Sequence, residues 1–262
     1  MDALLIHDDA GVRTLTLNRP DALNAFNEEL KQALLDCLKK TERDRSVRCL
    51  VLTGAGRAFS AGQDLKETQD KAAAGKEMDF AAELRRNYNP IILKIRTIEI
   101  PVIASINGVA AGAGWSLALA CDIRIASKSA KFAGAFSRIG LIPDSGMTFT
   151  LPRLAGHARA MEIALFGDPI TAEQALQWNL VNHVVEPDDL AARTRELTQA
   201  LARGATRGLG LIKRAMNAGL INDLESQLNY EADLQGVAGR TRDHREGVAA
   251  FVAKRAPEFK GE

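Results

Sequence analysis

The sequence predicts an α/β fold in which buried strands alternate with helices, followed by a region made of helices alone. Three short stretches predict strands: CLVLT, VIASI and IRIAS, which begin at residues 49, 102 and 123. CLVLT is a continuous apolar run, which is typical of a strand buried on both faces of a sheet. From about residue 146 the pattern becomes helical. We therefore expect a layered core in residues 1–200 and a helical C-terminal region in residues 201–262.

Composition excludes several classes of function. The 262 residues carry 34 basic and 33 acidic side chains, and a net charge of +1 does not favour nucleic acid or an anionic membrane as a partner. Cys37, Cys49 and Cys121 form no CxxC pair, and an odd number fits no closed set of disulfides, which predicts a reducing compartment. The start MDALLIHDDAG has no basic, apolar leader, so we expect a cytoplasmic protein.

The first quarter of the chain predicts a hairpin, a helix and the first buried strand. LLIH and VRTLTLN flank the turn DDAG, which is typical of a hairpin. Asn27 is expected to cap a helix that runs to about Arg43, with Leu30 and Leu34 on one face. After the strand CLVLT, GAGRAFSAGQDL predicts a glycine-rich loop, and residues 66–87 predict a mobile or helical segment.

Residues 102–121 contain no charged side chain over about the length of a membrane span. Ser105, Asn107, Ser116 and three glycines make this stretch too polar for a spanning helix. We therefore predict a buried strand, a glycine-rich turn and a buried helix of small residues.

Local signals also divide the second half of the chain. HARAMEIALF and TAEQALQW predict two helices, the second with a capping box of Thr171 and Gln174. LVNHVVE predicts a last short strand. Residues 188–254 predict three or four helices with breaks near three glycines, Gly204, Gly219 and Gly239.

Familiar catalytic motifs are missing or weak. The four histidines are scattered, without HExxH or a Cys/His ligand spacing, so we expect no metal site. Neither a P-loop nor a strand–GxGxxG–helix unit occurs. Ser116 lies in GWSLA, which is similar to the nucleophile motif GxSxG. Because no strand directly precedes it, we interpret Ser116 as a small polar residue of a packed helix.

Two glycine-rich turns that follow buried strands carry more information. Each exposes backbone N–H groups past the end of a strand, and the second leads into a helix N-terminus, which favours negative charge. A pair of such N–H groups is what an oxyanion hole requires. Spacing alone leaves open that the glycines only make turns.

Asp144 is a lone carboxylate in the apolar segment GLIPDSGMTF. A dry pocket would raise the pKa of this carboxyl and suit it to removing a proton. The alternative is a helix N-cap, because an Asp that follows Pro and precedes a helical run is a common cap.

These segments together resemble the enoyl-CoA hydratase/isomerase (crotonase) superfamily over essentially the whole chain. The motifs that carry the resemblance are TLNRPDALNAFN, LTGAGRAFSAGQDL, PVIASINGVAAGAG, CDIRIAS, FSRIGLIPDSGMT, LPRLAG and REGVAAFVAKRAPEF. The resemblance implies a crotonase-like spiral of ββα repeats whose helical C-terminal region mediates trimerisation, usually with two trimers in a hexamer. It also implies an acyl-CoA substrate, with coenzyme A as part of that substrate and no separate cofactor.

The resemblance assigns the two oxyanion donors to the backbone N–H groups of Gln63 and Ala113. Residues 66–87 are expected to cover the acyl pocket. Contacts to the acyl-CoA are implied for eight further residues, the last two reaching the CoA of a neighbouring subunit: Ala61, Gly62, Asp64, Leu65, Gly112, Phe136, Phe251 and Lys254. For the last of these, a solvated C-terminal lysine is the alternative.

Two departures from the hydratases bear on the reaction. Ser116 and Phe136 occupy the positions of the two glutamates that activate water in hydratases, and neither side chain is a carboxylate. Water addition is therefore disfavoured, whereas Asp144 matches the catalytic aspartate of family members that isomerise double bonds or epoxides. We expect it to remove the α-proton and return it farther along the conjugated system, with Phe136, Leu141 and Ile142 excluding water.

The segments NGVAAGAG, AFSRIGLIPD and GLGLIK are most similar to the members that convert the ring-1,2-epoxide of phenylacetyl-CoA to the oxepin. The main alternative is a 3,2-trans-enoyl-CoA isomerase of fatty-acid oxidation. An aspartate nucleophile that displaces aryl halide, an RNA-binding relative and a catalytically silent CoA-binding protein are further alternatives. The balanced charge disfavours RNA, and the presence of Asp144 disfavours a silent protein.

Overall fold

The computed structural model describes residues 2–75 and 79–262, except for the side chains of Lys71 and Ala72. Residues 76–78 of the segment predicted to cover the pocket lie outside the described residues. Over the described ranges the chain forms ten strands: β1 Leu4–Asp9, β2 Val12–Leu17, β3 Cys49–Gly54, β4 Ala58–Ser60, β5 Val102–Ile106, β6 Val109–Ala111, β7 Ile123–Ser127, β8 Lys131–Ala133, β9 Ile170–Thr171 and β10 His183–Val185.

Helices connect the strands and form the C-terminal region. In the part of the chain that the structure describes there are twelve α-helices: α1 Glu28–Arg43, α2 Leu65–Ala73, α3 Phe80–Glu83, α4 Asn89–Thr97, α5 Ala113–Ala120, α6 Met147–Ala155, α7 His157–Phe166, α8 Ala172–Gln177, α9 Leu190–Ala202, α10 Thr206–Ala218, α11 Leu224–Ala238 and α12 Arg242–Val252. A π-helical segment, Leu84–Tyr88, joins α3 to α4.

The strands form two sheets. The hairpin β1–β2 belongs to the larger sheet, whereas the successive pairs β3–β4, β5–β6 and β7–β8 each contribute one strand to each sheet. Among the described residues the larger sheet has the order β1-β2-β3-β5-β7-β10, and the smaller has the order β4-β6-β8-β9. Within them, β3, β5 and β7 pair in parallel, as do β4, β6 and β8. Each ββ pair is followed by helices, which confirms the predicted α/β fold with a spiral of ββα repeats.

The predicted N-terminal elements are confirmed. Strands β1 and β2 form an antiparallel hairpin, in which Leu4 pairs with Leu17. The Asn27 side chain accepts a hydrogen bond from the N–H of Leu30 and caps α1, because the first N–H groups of a helix have no partner within it. Strand β3 is almost entirely buried, since parallel neighbours and helices cover it on both faces.

The prediction of plain loops after the buried strands is wrong. GAGRAFSAGQDL contains β4, and NGVAAGAG contains β6. Each strand is only three residues long, too short for an alternating pattern to be recognised in the sequence. The strand predicted from LVNHVVE is also shorter than expected, and covers only β10.

The uncharged stretch 102–121 contains the predicted strand β5 and helix α5, with β6 within the predicted turn. Every residue of α5 is buried, because the helix packs inside the core and small side chains let it approach its neighbours closely. Among the described residues, no helix is long and apolar enough to cross a membrane.

The C-terminal region consists of the four helices α9 to α12, as the sequence predicts. Gly219 and Gly239 follow directly after α10 and α11, and Gly204 lies between α9 and α10. Helix α10 packs on the core, where the buried Lys213 ammonium pairs with the Asp122 carboxylate at 2.8 Å and donates to the carbonyl of Ile95. The division of the chain at residue 200 stays a prediction.

Candidate active site

The three residues assigned to catalysis from the sequence, Gln63, Ala113 and Asp144, line one apolar cavity of about 140 Å³. Its walls come from the segment after β4, from the start of α5, from the loop before α6, and from α3 with the π-helical segment. The lining residues are Ala61, Gln63, Leu65, Phe80, Glu83, Leu84, Tyr88, Gly112, Ala113, Ala135, Phe136, Ile139, Leu141 and Asp144. Gln63, Ala113 and Asp144 are therefore neighbours across one small space.

The direction of the Gln63 amide follows from a single parallel β-bridge between Gln63 and Phe26. Both hydrogen bonds of this bridge involve the neighbours of Gln63. The N–H of Phe26 donates to the Gly62 carbonyl at 2.7 Å, and the N–H of Asp64 donates to the Phe26 carbonyl at 3.1 Å. Because backbone groups alternate in direction along an extended chain, the N–H of Gln63 points away from Phe26.

Gly62 brings this amide close to the start of α5. A Cβ atom at Gly62 would lie 2.8 Å from the Ala111 carbonyl oxygen and 3.1 Å from the Ala113 nitrogen, and its φ is +86°. Only glycine tolerates both the contact and the conformation. Ala113 is the first residue of α5, so its N–H has no acceptor within the helix. Two backbone N–H groups at the positive end of a helix can bind an oxyanion.

Asp144 is half-buried, and burial raises the pKa of its carboxyl, although a hydrogen bond from Ser145 acts in the opposite direction. The Ser145 hydroxyl donates to Oδ1 of Asp144 at 2.8 Å. Ser145 is buried with a φ of +52°, an uncommon conformation for a residue with a side chain. Within the described ranges, no basic side chain forms a salt bridge with Asp144. Its carboxylate is thus suited to accepting a proton.

The alternative role of Asp144 as a helix cap is wrong. Gly146 precedes α6 at the N-cap position, and the structure records no side-chain cap there among the described residues. The two residues between Asp144 and the helix carry positive φ values, and this turn directs the carboxylate towards the cavity instead.

Ser116 lies in α5 as a buried polar residue, which confirms the packed-helix interpretation. Its hydroxyl donates to the Asp144 carbonyl at 3.0 Å and contacts the Gly112 carbonyl at 3.3 Å. Ser116 thereby links the helix of Ala113 to the loop of Asp144. Since the hydroxyl proton is directed at carbonyl groups, Ser116 is not arranged as a nucleophile.

The apolar residues expected to exclude water divide into two groups. Phe136 is 7% exposed and lines the cavity together with Leu141. Ile142 is 78% exposed, so the expectation that it shields Asp144 is wrong. The chain turns between Leu141 and Asp144, and Ile142 is directed outwards on that turn.

Sequence reasoning missed Glu83, although it is a second carboxylate in the cavity wall. Lys31 is 1% exposed and forms an ion pair with Glu83, and Asn87 donates to the same carboxylate at 2.9 Å. Burial raises the pKa of Glu83, but the hydrogen bonds from Asn87 and Lys31 and the lysine charge outweigh it and lower the pKa. A carboxylate held in this way is a poor base compared with Asp144.

Tyr88 is a further polar residue of the cavity wall that was not assigned from the sequence. Its hydroxyl donates to Oε1 of Gln63. Tyr88 could not be assigned from the sequence, because a π-helical turn has no sequence signature and shifts which side chains face the cavity. A lysine and a glutamate 52 residues apart also form no local pattern.

Of the residues expected to contact the acyl-CoA, Ala61, Leu65, Gly112 and Phe136 line the cavity. The Asp64 carboxylate accepts from the N–H of Glu67 at 3.1 Å and pairs with Arg19 at 2.8 Å, so it holds the start of α2. Burial raises the pKa of Asp64, but these hydrogen bonds and the charge of Arg19 lower it overall.

The C-terminal residues do not take part in this cavity. Phe251 is 85% exposed near the end of α12, and Lys254 is also exposed. Their contact with a neighbouring subunit's CoA stays a prediction, as does the alternative of a solvated Lys254. No cluster of three or more His, Cys, Asp or Glu side chains within the described ranges could hold a metal ion.

Comparisons with known proteins agree with this geometry. A family model for enoyl-CoA hydratase/isomerase matches residues 7–262. The chain is 51% identical to the 1,2-epoxyphenylacetyl-CoA isomerase of Escherichia coli, over 100% of this chain and 99% of the relative. It is 34% identical to the trans-2-decenoyl-[acyl-carrier-protein] isomerase of Streptococcus mutans, over 98% of both. The enoyl-CoA hydratase structure from Mycobacterium smegmatis superposes with a TM-score of 0.92 at 32% identity, over 99% of both chains.

Proposed function

This chain belongs to the enoyl-CoA hydratase/isomerase family, and from that premise we propose that it converts the ring-1,2-epoxide of phenylacetyl-CoA to the oxepin-CoA. The coarser activity is that of an acyl-CoA isomerase. The observation that carries the proposal is the pairing of two backbone N–H donors, at Gln63 and Ala113, with the half-buried carboxylate of Asp144 around one apolar cavity. The identity of 51% to the E. coli isomerase supports the aryl substrate.

The proposed reaction gains and loses no atoms. The carbon–carbon bond shared by the epoxide and the six-membered ring breaks, so that the oxygen enters a seven-membered ring. Asp144 takes the α-proton, and the protonated carboxyl gives it back to a ring carbon, which leaves the new double bond conjugated with the thioester. Because nothing is oxidised or reduced overall, the reaction requires no redox cofactor.

In this proposal each group has one task. The N–H groups of Gln63 and Ala113 bind the thioester oxygen and stabilise the enolate, and each donor contributes about 10²–10³ in rate. Asp144 is the single base, and Phe136 and Leu141 keep bulk water away from it. Ser116 and Phe136 stand where the hydratases carry glutamates, so water has no carboxylate to activate it at those positions.

A 3,2-trans-enoyl-CoA isomerase is the second candidate, because the same base and donors would move an isolated double bond into conjugation. The similarity to a decenoyl isomerase favours it as an alternative. Displacement of an aryl halide by Asp144 is a third possibility for the same carboxylate. The ratio of kcat/KM on aryl epoxide and aliphatic enoyl substrates separates the first two.

The proposal includes the assembly and the location expected from the sequence. We propose a homotrimer or a hexamer of two trimers, in which Phe251 and Lys254 reach the CoA of a neighbouring subunit. Cys37, Cys49 and Cys121 are all buried and unpaired, which supports a reducing compartment such as the cytoplasm.

The test is an absorbance assay with the aryl epoxide and with a 3-enoyl-CoA. The proteins compared are the wild type, Asp144→Asn and a control, Asp188→Asn, in which the altered carboxylate is exposed and remote from the cavity. The proposal predicts conjugated product from wild type and control, and a rate at least about 10²-fold lower for Asp144→Asn. Isomerisation by Asp144→Asn at the wild-type rate would refute it.

A further inference from the structure

Tyr88 occupies a place in the cavity wall that the proposed proton transfer does not use. Its side chain is 6% exposed and lies in the π-helical segment. The hydroxyl donates to Oε1 of Gln63, and Nε2 of Gln63 donates in turn to Thr68 at 3.3 Å. The side chain of Gln63 is therefore held at both ends of its amide.

A second contact connects Tyr88 to the backbone of the same residue. The ring of Tyr88 packs edge-on against Phe26, with 5.9 Å between ring centroids and 87° between ring planes. Phe26 is the bridge partner of Gln63 and hydrogen-bonds to the residues on both sides of it. The Lys31 ammonium also lies near the Tyr88 ring, 5.4 Å from the ring centroid. Tyr88 thus contacts the Gln63 side chain directly, and it contacts the Gln63 backbone indirectly through Phe26.

We infer that Tyr88 is a positioning residue of the oxyanion hole, whose hydroxyl fixes the Gln63 side chain and thereby the direction of the Gln63 backbone N–H. This inference rests on the proposed function, in which that N–H binds the thioester oxygen. An oxyanion donor is effective when it is oriented before the reaction, because it then need not reorganise as charge develops.

The surroundings keep the tyrosine in its donor form. Burial raises the pKa of Tyr88, and the negative charges of Asp144 and Glu83 raise it further. The phenol therefore stays protonated across the working pH range and donates its hydrogen bond to Gln63 throughout.

The test measures the polarisation of a bound thioester and does not depend on turnover. Phenylacetyl-CoA with a ¹³C-labelled carbonyl is bound to wild type, Tyr88→Phe, Gln63→Met and the double variant. The carbonyl stretching frequency is measured by difference infrared spectroscopy, and binding by calorimetry. Tyr230→Phe is the matched control, because it removes a hydroxyl that accepts from Arg214 at 2.9 Å, outside this cavity.

We expect wild type and Tyr230→Phe to lower the frequency of the bound carbonyl relative to free phenylacetyl-CoA. In Tyr88→Phe and in Gln63→Met the decrease in carbonyl frequency on binding should be smaller than in wild type, by the same amount in both. The double variant should show no larger effect than either single variant. In turnover, kcat should fall about tenfold in both single variants, with little change in KM, because one neutral hydrogen bond is lost.

Two results would overturn the inference. One is an intact frequency shift in Tyr88→Phe with phenylacetyl-CoA bound. The other is a double variant that loses the sum of two separate effects, since Tyr88 would then act independently of Gln63. A wild type that shows the full shift and leaves the aryl epoxide unchanged would refute the proposed function and leave the positioning role supported.

Discussion

The hydroxyl of Ser116 donates to the main-chain carbonyl of Asp144 at 3.0 Å, and so joins the helix that carries one oxyanion donor to the loop that carries the base. Ser116 is 1% exposed, so the hydrogen bond is shielded from water. The distance between the carboxylate and the donor N–H of Ala113 is fixed by this link as well as by chain packing.

Ser116→Ala tests that link. Loss of the hydroxyl removes one of two hydrogen bonds to the Asp144 carbonyl, which still accepts from the Met147 N–H at 3.0 Å, and this costs about 0.5–1.5 kcal/mol. We expect kcat to fall about tenfold with a smaller change in KM, because the base shifts relative to the bound thioester. The control is Ser137→Ala, which removes a buried hydroxyl with no hydrogen-bond partner among the described residues. Equal kinetics for the two variants would contradict the linking role.

Gly62→Ala should damage the oxyanion hole through the backbone. Its Cβ would lie 2.8 Å from the Ala111 carbonyl oxygen, so β6 and the start of α5 must move away from Gln63. We expect kcat to fall about 10²-fold, which is the effect of removing one donor from an oxyanion hole. Gly156→Ala is the control, because it has a similar φ of +77° with no atom within 4 Å among the described residues.

Both glycine variants introduce backbone strain of about 1–3 kcal/mol, so the unfolding temperature should fall in each. Only Gly62→Ala should lose activity when both are assayed well below their unfolding temperatures. A fully active Gly62→Ala protein would show that the two amides need not lie close together.

The pKa of Asp144 gives a prediction with two readouts. Because burial raises the pKa of this carboxyl, kcat/KM should fall, as the pH is lowered, at a pH above the ordinary value of 3.8. A group whose pKa is raised on folding binds its proton more tightly in the folded state, so stability decreases as the pH rises through that pKa. The ionised carboxylate therefore lowers the free energy of unfolding at neutral pH.

It follows that Asp144→Asn should be inactive and more stable than wild type at pH 7. The difference in the free energy of unfolding, measured by urea titration, should shrink as the pH falls towards 3.8. A variant that is less stable than wild type at pH 7 would show that the carboxylate is stabilised in the folded protein, against the burial argument.

The buried ion pair beneath the cavity is predicted to matter for stability. Lys31→Met removes the buried cation of the Glu83 carboxylate and leaves it with the exposed Arg86 guanidinium, 3.8 Å away, so we expect a loss of about 3 kcal/mol in the free energy of unfolding. Adding Glu83→Gln removes the carboxylate charge that has lost its buried partner and should recover much of the loss. The control is Lys94→Met, in an ion pair whose side chains are 23% and 41% exposed and which contributes less than about 1 kcal/mol. A Lys31→Met protein no less stable than this control would contradict the account.

The elements that could be predicted from the sequence are those that a local pattern of residues determines. The cap at Asn27, the capping box of Thr171 and Gln174, and the buried strands each depend on residues that lie close together in the chain. Asp144 stood out because it is one carboxylate in an apolar segment. The fold as a spiral came from the resemblance, which covers many short motifs at once.

The structure was needed where contacts join distant segments. The three-residue strands β4 and β6 are defined by pairing with each other, and no local pattern marks them. The π-helical segment places Tyr88 in the cavity wall, and Glu83 reaches the same wall from the end of the adjoining helix α3. Ile142 was misassigned because a turn of the backbone separates its side chain from those of its neighbours.

The most direct test is hydrogen exchange at the α-carbon of phenylacetyl-CoA. This ligand has an α-proton but neither an epoxide nor a side-chain double bond, so proton removal can be measured without isomerisation. Wild type in D₂O should incorporate deuterium at this carbon, as followed by mass spectrometry, because enolate formation needs only the Gln63 and Ala113 donors and the Asp144 base. Asp144→Asn should bind the ligand and exchange at least about 10²-fold more slowly. Exchange at the wild-type rate by Asp144→Asn would contradict the claim that Asp144 removes the α-proton.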